Sequence, residues 1–411
     1  MIRVQSTDVF GASFGSLLSQ LCMTTLQSFG RKISGYLRTG AVDLIRERLS
    51  VHRTARAFAA CSPVSGFRIV LDWKSCASTA AIIALLLLIS AIVSPNSAFA
   101  QRLDGFNVVA APNHPFGSLT AGRALTAARH LGATTVAIIP FLWQEAPSSP
   151  NVSAGGDMSD QTLRVAIGQV HRLGFFAVVK PHIWVPGSWA GAVEPDSEKA
   201  WQTWFMRYRD QLVRIARIAA QEGAEALAIG TELTKTSQRP EWPALIAAVR
   251  AVFPGMLYYI AHNVDEAEIV PFWPMLDAIG VSLYPPLGVD DDRTGRLKAM
   301  KLVADRLDAL SSRQGKVILI GEIGLRSARG AAAKPWESAE ERTAAVDAQL
   351  QADVLADWLA VLNRPSIHGV LIWRWFTDPS AGGPNDTDFT VQGKPAESIL
   401  SCAWSGICLR P

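Results

Sequence analysis

The chain is 411 residues long, 49% hydrophobic and 18% charged, with 39 basic and 36 acidic residues for a formal charge of +3. That hydrophobic share excludes a disordered chain, and the length allows one large core or two smaller ones. Residues 1–74 hold 10 Lys/Arg against 4 Asp/Glu, residues 75–100 hold none, and the remainder carries 29 basic against 32 acidic residues, so a basic nucleic-acid-binding body is excluded.

In chain order, residues 1–75 show no sustained periodicity and no recognisable motif, and they stay unassigned. Residues 80–93 (AAIIALLLLISAIV) form an uncharged apolar run, with Lys74 ahead of it and Ala98-Phe99-Ala100 behind it. A charged n-region, a short apolar run and an A-x-A site describe a secretory signal peptide over 76–100. A membrane span needs ~20 apolar residues, so a retained signal-anchor is the alternative. The expected location is the periplasm or the cell exterior. Only an uncleaved 80–93 segment would add a membrane contact, by anchoring the domain outside an inner membrane. A true start near Val70 or Leu71 would account for the long extension; a cytoplasmic tail on an anchored protein is the other explanation.

Cysteine usage agrees with export. After residue 100 only Cys402 and Cys408 remain, a C-x5-C pair that can close a small loop in an oxidising compartment, two free thiols being the alternative. No His lies beside them to complete a metal site, and no HxxxH or Cys/His cluster occurs elsewhere, so no metal or other cofactor is expected.

Residues 101–411 contain no Gly/Ser/Pro-rich linker and read as one domain. Strand candidates follow in order: 106–109 (FNVV), 135–140 (TVAIIP), 175–180 (FFAVVK), 226–230 (ALAIG), 257–261 (LYYIA), 278–283 (AIGVSL), 317–321 (VILIG) and 369–373 (GVLIW). Most are continuous apolar runs, as in strands covered on both faces. Amphipathic helices fill the gaps. The clearest spans about 197–222, where Trp201, Trp204, Phe205, Tyr208, Leu212, Ile215 and Ala219 recur at three- and four-residue steps. Eight strands alternating with helices predict an α/β fold of the (β/α)8 TIM-barrel type, a single catalytic domain behind the signal segment. A doubly wound open sheet is the alternative, but NVVAAPNHPFGS after the first strand is no phosphate-binding turn.

In such a barrel, chemistry collects at the C-terminal strand ends. Here those ends read Lys180-Pro181-His182-Ile183-Trp184, Thr231-Glu232, His262-Asn263, Tyr284-Pro285, Glu322 and Trp373-Arg374-Trp375. Glu232 and Glu322 each follow an apolar run directly, on the fourth and seventh strands, facing each other across the mouth. A lone Glu there could be a structural ion-pair partner. Two together suit glycosidic cleavage, which needs one protonated carboxyl for the leaving oxygen and a second carboxylate to attack or to activate water. Aromatics give a second line: 12 of the 13 Trp lie after residue 100, and Trp143, Trp184, Trp189, Trp373 and Trp375 fall at or beyond strand ends. An indole there can stack on the C–H face of a sugar. Trp373 is the strongest candidate for a floor under the reacting sugar; Trp184 and Trp189 are equally compatible with loop packing.

KPH after the third strand, IGTEL after the fourth, Tyr-Pro after the sixth, GEIG after the seventh and W-x-W followed by GKPA resemble glycoside hydrolase family 113 over roughly 103–400. The resemblance implies a retaining barrel glycosidase, with β-mannanases as the chief characterised members. By position it makes Glu232 the acid/base and Glu322 the nucleophile. Thr231 stands where much of the wider clan has Asn. Tyr284 matches a tyrosine that hydrogen-bonds the nucleophile, and Trp373 matches the sugar platform. Lys180 and His182 would meet sugar hydroxyls, with Trp184, Asn263 and Trp375 as further substrate contacts. Residues 377–389 would form a loop over the cleft, and its Asp378, Asp386 and Asp388 could reach sugar or simply face solvent.

The leading expectation is thus a β-glycosidase acting on a β-linked carbohydrate, with mannan favoured over a β-glucan or an exopolysaccharide, and with transglycosylation open. A carbohydrate-binding pseudoenzyme is one competitor. An isomerase or aldolase is another, and it would need Lys180 as a free Schiff-base amine. Oligomeric state and endo or exo action have no signature in the residues.

Overall fold

The structure is a computed structural model that describes residues 102–408. The proposed signal segment over 76–100, the extension 1–75 and the cleavage point before Gln101 lie outside the described residues.

Eight strands close a parallel barrel: β1 (Gly105–Val109), β2 (Thr135–Ile138), β5 (Phe176–Val179), β7 (Ala226–Thr231), β8 (Met256–His262), β9 (Ala278–Leu283), β10 (Ile318–Ile323) and β11 (Ile367–Phe376), with β11 returning to β1. After each of them comes one α-helix: α1 (Leu119–His130), α2 (Asp160–Arg172), α3 (Glu198–Gln221), α4 (Trp242–Arg250), α5 (Asn263–Ile269), α6 (Arg293–Gln314), α7 (Ala348–Val361) and α8 (Ala396–Ser405). The (β/α)8 expectation holds. A small sheet of β3 (Phe141–Trp143), β4 (Ser153–Ala154) and β6 (His182–Trp184) extends the chain beyond β2 and β5.

Local chemistry explains the helices. Ser197 caps α3 by accepting the Ala200 N–H, and the predicted stripe from Trp201 to Ala219 is its buried face. Asp292 caps α6, which ends on Gly315 at φ 61°, a left-handed C-cap that only glycine adopts without strain. Ser118 and Ser159 cap α1 and α2 in the same way.

Burial divides the strands by parity. Leu227, Ile229, Leu257, Tyr259, Ile279 and Val281 pack outward against the helices. Ala226, Ala228, Tyr258, Ile260, Ala278, Leu319 and Leu371 fill the barrel interior as a separate cluster. This is the alternation of a packed barrel, small and large residues sharing the interior layers. Cys402 and Cys408 form a disulfide that closes the end of α8, with Cα atoms 4.1 Å apart. No helix among the described residues is long and apolar enough to cross a membrane.

Candidate active site

The inward parity of the strands, carried one layer further, delivers the polar residues. In β8 and β9, Ile260 faces Gly280 and His262 faces Ser282, so both polar side chains continue the inward column. In β5, Lys180 lies two residues beyond inward-facing Val178. In β1, Asn107 pairs with Trp373 of β11. Two strands break the alternation at their glutamates. The β10 register slips between Ile320 and Glu322, which sets Glu322 opposite Ser282 and turns it inward. The bulge contains Gly321, where a Cβ would come within 2.7 Å of the Ile260 side chain. The β7 register slips between Ala228 and Thr231, which pairs Thr231 with inward-facing Ile260. The next residue, Glu232, has φ 56°, a left-handed backbone rare for a non-glycine residue. That turn brings its carboxyl back over the mouth.

Glu322 is 7% exposed. Its Oε2 accepts from Lys180 Nζ and its Oε1 accepts from the Tyr284 hydroxyl at 2.8 Å. Lys180 is fully buried, and its ammonium also donates to Asn107 Oδ1 at 2.9 Å while lying 5.4 Å from the Trp373 ring centre. Burial, with the charges of Glu322 and Glu232, raises the Tyr284 hydroxyl well above its usual range, so it remains a neutral donor.

Glu232 sits in a different pocket. Its Oε1 accepts from Ser282 Oγ and meets His262 Nδ1 at 3.1 Å. Burial opposes ionisation of this carboxyl, but the His262 and Ser282 contacts and the nearby His182 outweigh it and hold it below its ordinary value. His262 Nε2 is met by Asn263 Nδ2 at 3.0 Å, and Trp189 packs edge-on against the imidazole with ring centres 4.8 Å apart. The backbone here is fixed by Glu266 of α5, which accepts from His262 N at 2.6 Å, Tyr259 OH at 2.6 Å and Thr234 Oγ1 at 2.9 Å.

Glu232, Glu322, Lys180, Thr231, Tyr284 and Trp373 therefore gather at one mouth. His182 joins them: burial pushes its imidazole pKa down, its Nδ1 is buried without a partner, and the charges of Glu322, Lys180 and Glu232 all reach it. Thr231 Oγ1 is likewise buried and unpaired. Asn263 is close by, but its amide is taken up by His262 and by Tyr284 N–H, at 2.8 Å. Trp184 lies on the small sheet, on the same strand as His182, exposed beside its register partner Trp143.

Trp375 requires a correction. It is 1% exposed, its indole donates to Ala124 O of α1, and it packs on Phe106 at 4.7 Å. The β1–β11 register skips Arg374, which puts Trp375 opposite outward-facing Val108. It is a core residue between barrel and helix, and a sugar cannot reach it. In the 377–389 loop, Asp386 pairs with Lys394 at 2.6 Å, Asp388 pairs with Arg374, and Asp378 accepts from Ser380 Oγ at 2.7 Å. These contacts tie the loop down, with Phe389 edge-on to Tyr284.

Sequence reasoning passed over Asn107, Ser282 and Glu266. The first two are polar residues at inward positions of otherwise apolar strands, a signal that was available. Glu266 gave none beyond its place in a polar helix. Among the described residues no group of three or more His, Cys, Asp or Glu side chains is placed to hold a metal ion.

A closed barrel with two inward glutamates on its fourth and seventh strands, in unlike pockets at one mouth, is the frame of a glycoside hydrolase. The chain belongs to glycoside hydrolase family 113, whose pattern it matches over residues 108–394. A GH113 β-mannanase, AaManA from Alicyclobacillus acidocaldarius, solved in complex with ManMIm, superposes with a TM-score of 0.67 at 24% identity, covering 75% of this chain and 99% of that one. A second solved GH113 β-1,4-mannanase, also a complex, gives a TM-score of 0.67 at 24% identity, covering 75% of this chain and 100% of that one. At such identities the likeness speaks to fold. No curated protein matches the chain. The aldolase reading fails on its own terms as well, because Lys180 is held by Asn107 and Glu322 and is not a free amine.

Proposed function

We propose that this glycoside hydrolase is an exported enzyme that cleaves β-mannan by double displacement, with Glu322 as nucleophile and Glu232 as acid/base. The observation that carries the assignment is the contrast between the two carboxyls. Glu322 is gripped at both oxygens by an ammonium and a phenol, whereas only Oε1 of Glu232 is engaged by named partners, a histidine and a serine. In the first step Glu322 attacks the anomeric carbon, the glycosidic bond breaks, and Glu232 gives its proton to the departing oxygen. In the second, Glu232 takes a proton from water, which attacks the same carbon and releases Glu322. Lys180 and Tyr284 hold the nucleophile in place. Trp373, with Lys180 and Arg374 near its ring, would carry the apolar face of the reacting sugar.

Mannan as the backbone rests on the family and on the mannanases it superposes with. Export rests on the 76–100 segment and on the Cys402–Cys408 disulfide, a bond that persists outside the reducing cytosol. The test is product release from β-mannan, glucomannan, mixed-linkage β-glucan and xylan, with the anomer of the first product read by NMR. Mannan products of retained configuration, absent in Glu322→Ala, support the proposal. Activity on another glycan alone would overturn mannan and leave the mechanism. An inverted anomer would overturn the mechanism.

A further inference from the structure

The acid half of this cycle needs a proton on Glu232, yet its neighbour His262 is well placed to take that proton away. Burial disfavours a charged imidazole at 262, but the hydrogen bond and charge of Glu232, helped by Glu266 on α5 and Glu322 on β10, outweigh it and push the His262 pKa up. If His262 held the proton, Glu232 would stay a carboxylate, a good base and a useless acid. His182 and Lys180 also face this pocket, and neither contacts His262 directly in a way that would settle its state.

Asn263 does settle it. Its amide orientation is fixed, because the Tyr284 backbone N–H can only donate and therefore demands Oδ1, at 2.8 Å. That leaves Nδ2, a pure donor, 3.0 Å from His262 Nε2. A donor facing Nε2 requires a bare, accepting nitrogen there. The ring proton then sits on Nδ1, pointing at Glu232 Oε1 across 3.1 Å. An imidazolium would set N–H against N–H. The backbone supports the arrangement: Asn263 has φ 54°, a left-handed conformation that Asn tolerates better than most residues.

We propose that Asn263 is a positioning residue that holds His262 as the neutral Nδ1–H tautomer, so that the proton gained by this pair resides on Glu232 and is available to the leaving group. The inference deepens the glycosidase reading and rests on it for its catalytic meaning. Its structural content, the state of one imidazole, stands apart from activity. No proton is created or lost in the proposal; it fixes which of two sites holds the one that the leaving oxygen receives.

The test is Asn263→Asp, which keeps the shape and the tolerance for a left-handed backbone but offers Nε2 an acceptor. In the full-length protein labelled with 15N-histidine, the His262 resonances, assigned by their loss in His262→Gln, report the tautomer directly. The expected wild-type result at pH 7 is a protonated Nδ1 and a bare Nε2. The expected result in Asn263→Asp is protonation of both nitrogens. With it, kcat/KM for a glycoside with a poor leaving group falls at least tenfold further than kcat/KM for a dinitrophenyl glycoside, which needs no acid. A wild-type imidazolium or Nε2–H tautomer overturns the proposal whatever the activity. So does an Asn263→Asp variant with a neutral His262, or one whose losses are equal for both leaving groups. If the wild type cleaves no glycoside while showing the Nδ1–H tautomer, the glycosidase mechanism fails and the tautomer assignment stands.

Discussion

The two glutamates occupy the same mouth but are held by opposite chemistry. Glu322 lies on an inward column created by a bulge, with a buried ammonium at one oxygen and a phenol at the other. Glu232 is swung inward by a left-handed backbone, and its partners, His262 and Ser282, both meet Oε1. The first pocket contains a fixed positive charge. The second contains an imidazole and a hydroxyl, both facing one carboxyl oxygen. A nucleophile must remain anionic through every turnover, whereas an acid/base must gain and lose a proton. The difference between the pockets therefore maps onto the difference between the proposed roles.

The sharpest way to break this contrast is to delete each carboxyl. Glu322→Ala should lose hydrolysis by on the order of 10^4-fold or more on every substrate, because it removes the nucleophile of the proposed double displacement. Glu232→Ala should lose about 10^2- to 10^4-fold on mannan, the usual range for acid/base catalysis. Unlike Glu322→Ala, it should recover on an aryl glycoside with an activated leaving group when azide is added. Recovery in the Glu322 variant instead would exchange the two roles.

Lys180 offers the next test. An uncompensated buried charge is more costly than a missing pair. Lys180→Met should lower unfolding stability by about 3 kcal/mol, and adding Glu322→Gln should return part of that loss. Urea denaturation of the four proteins measures the coupling. If the double variant is as unstable as the sum of the singles, the charge pairing contributes little and the loss is one of packing. Tyr284→Phe should be milder, removing one hydrogen bond to a charged group worth about 1.5–3 kcal/mol. Its effect should appear in kcat, about tenfold or more, with a smaller change in KM.

Much of this was legible in the residues, for a physical reason. Strands covered on both faces must be apolar throughout, so the eight barrel strands stood out as runs such as 226–230 and 278–283, within a few residues of their observed limits. The strand-end glutamates stood out against them. What stayed hidden depends on register. The slip that skips Arg374 sends Trp375 into the core, and W-x-W carries no mark of it. The left-handed turn at Glu232 is equally silent. The strands Phe141–Trp143 and His182–Trp184 are too short to show a period, so Trp184 read as a strand end and not as part of a second sheet. Asn107 and Ser282 were visible as polar breaks in apolar strands, but their meaning appears only when Lys180 and Glu232 are found beside them.

The smallest expected effect is also the most specific to the second pocket. Ser282 donates to the same Glu232 oxygen that His262 meets, and together with that histidine it holds the carboxyl below its ordinary value. Ser282→Ala removes one donor to the ionised form, so the Glu232 pKa must rise. The acid form then persists to higher pH, and the basic limb of the kcat/KM profile moves upward. A hydrogen bond worth about 1 kcal/mol corresponds to a displacement of about 0.7 pH unit. The acidic limb should not follow, because the assigned hydrogen bonds of Glu322 come from Lys180 and Tyr284 and not from Ser282. A downward or symmetric movement would mean that the serine acts on both carboxyls, and the two pockets would have to be treated as one coupled site.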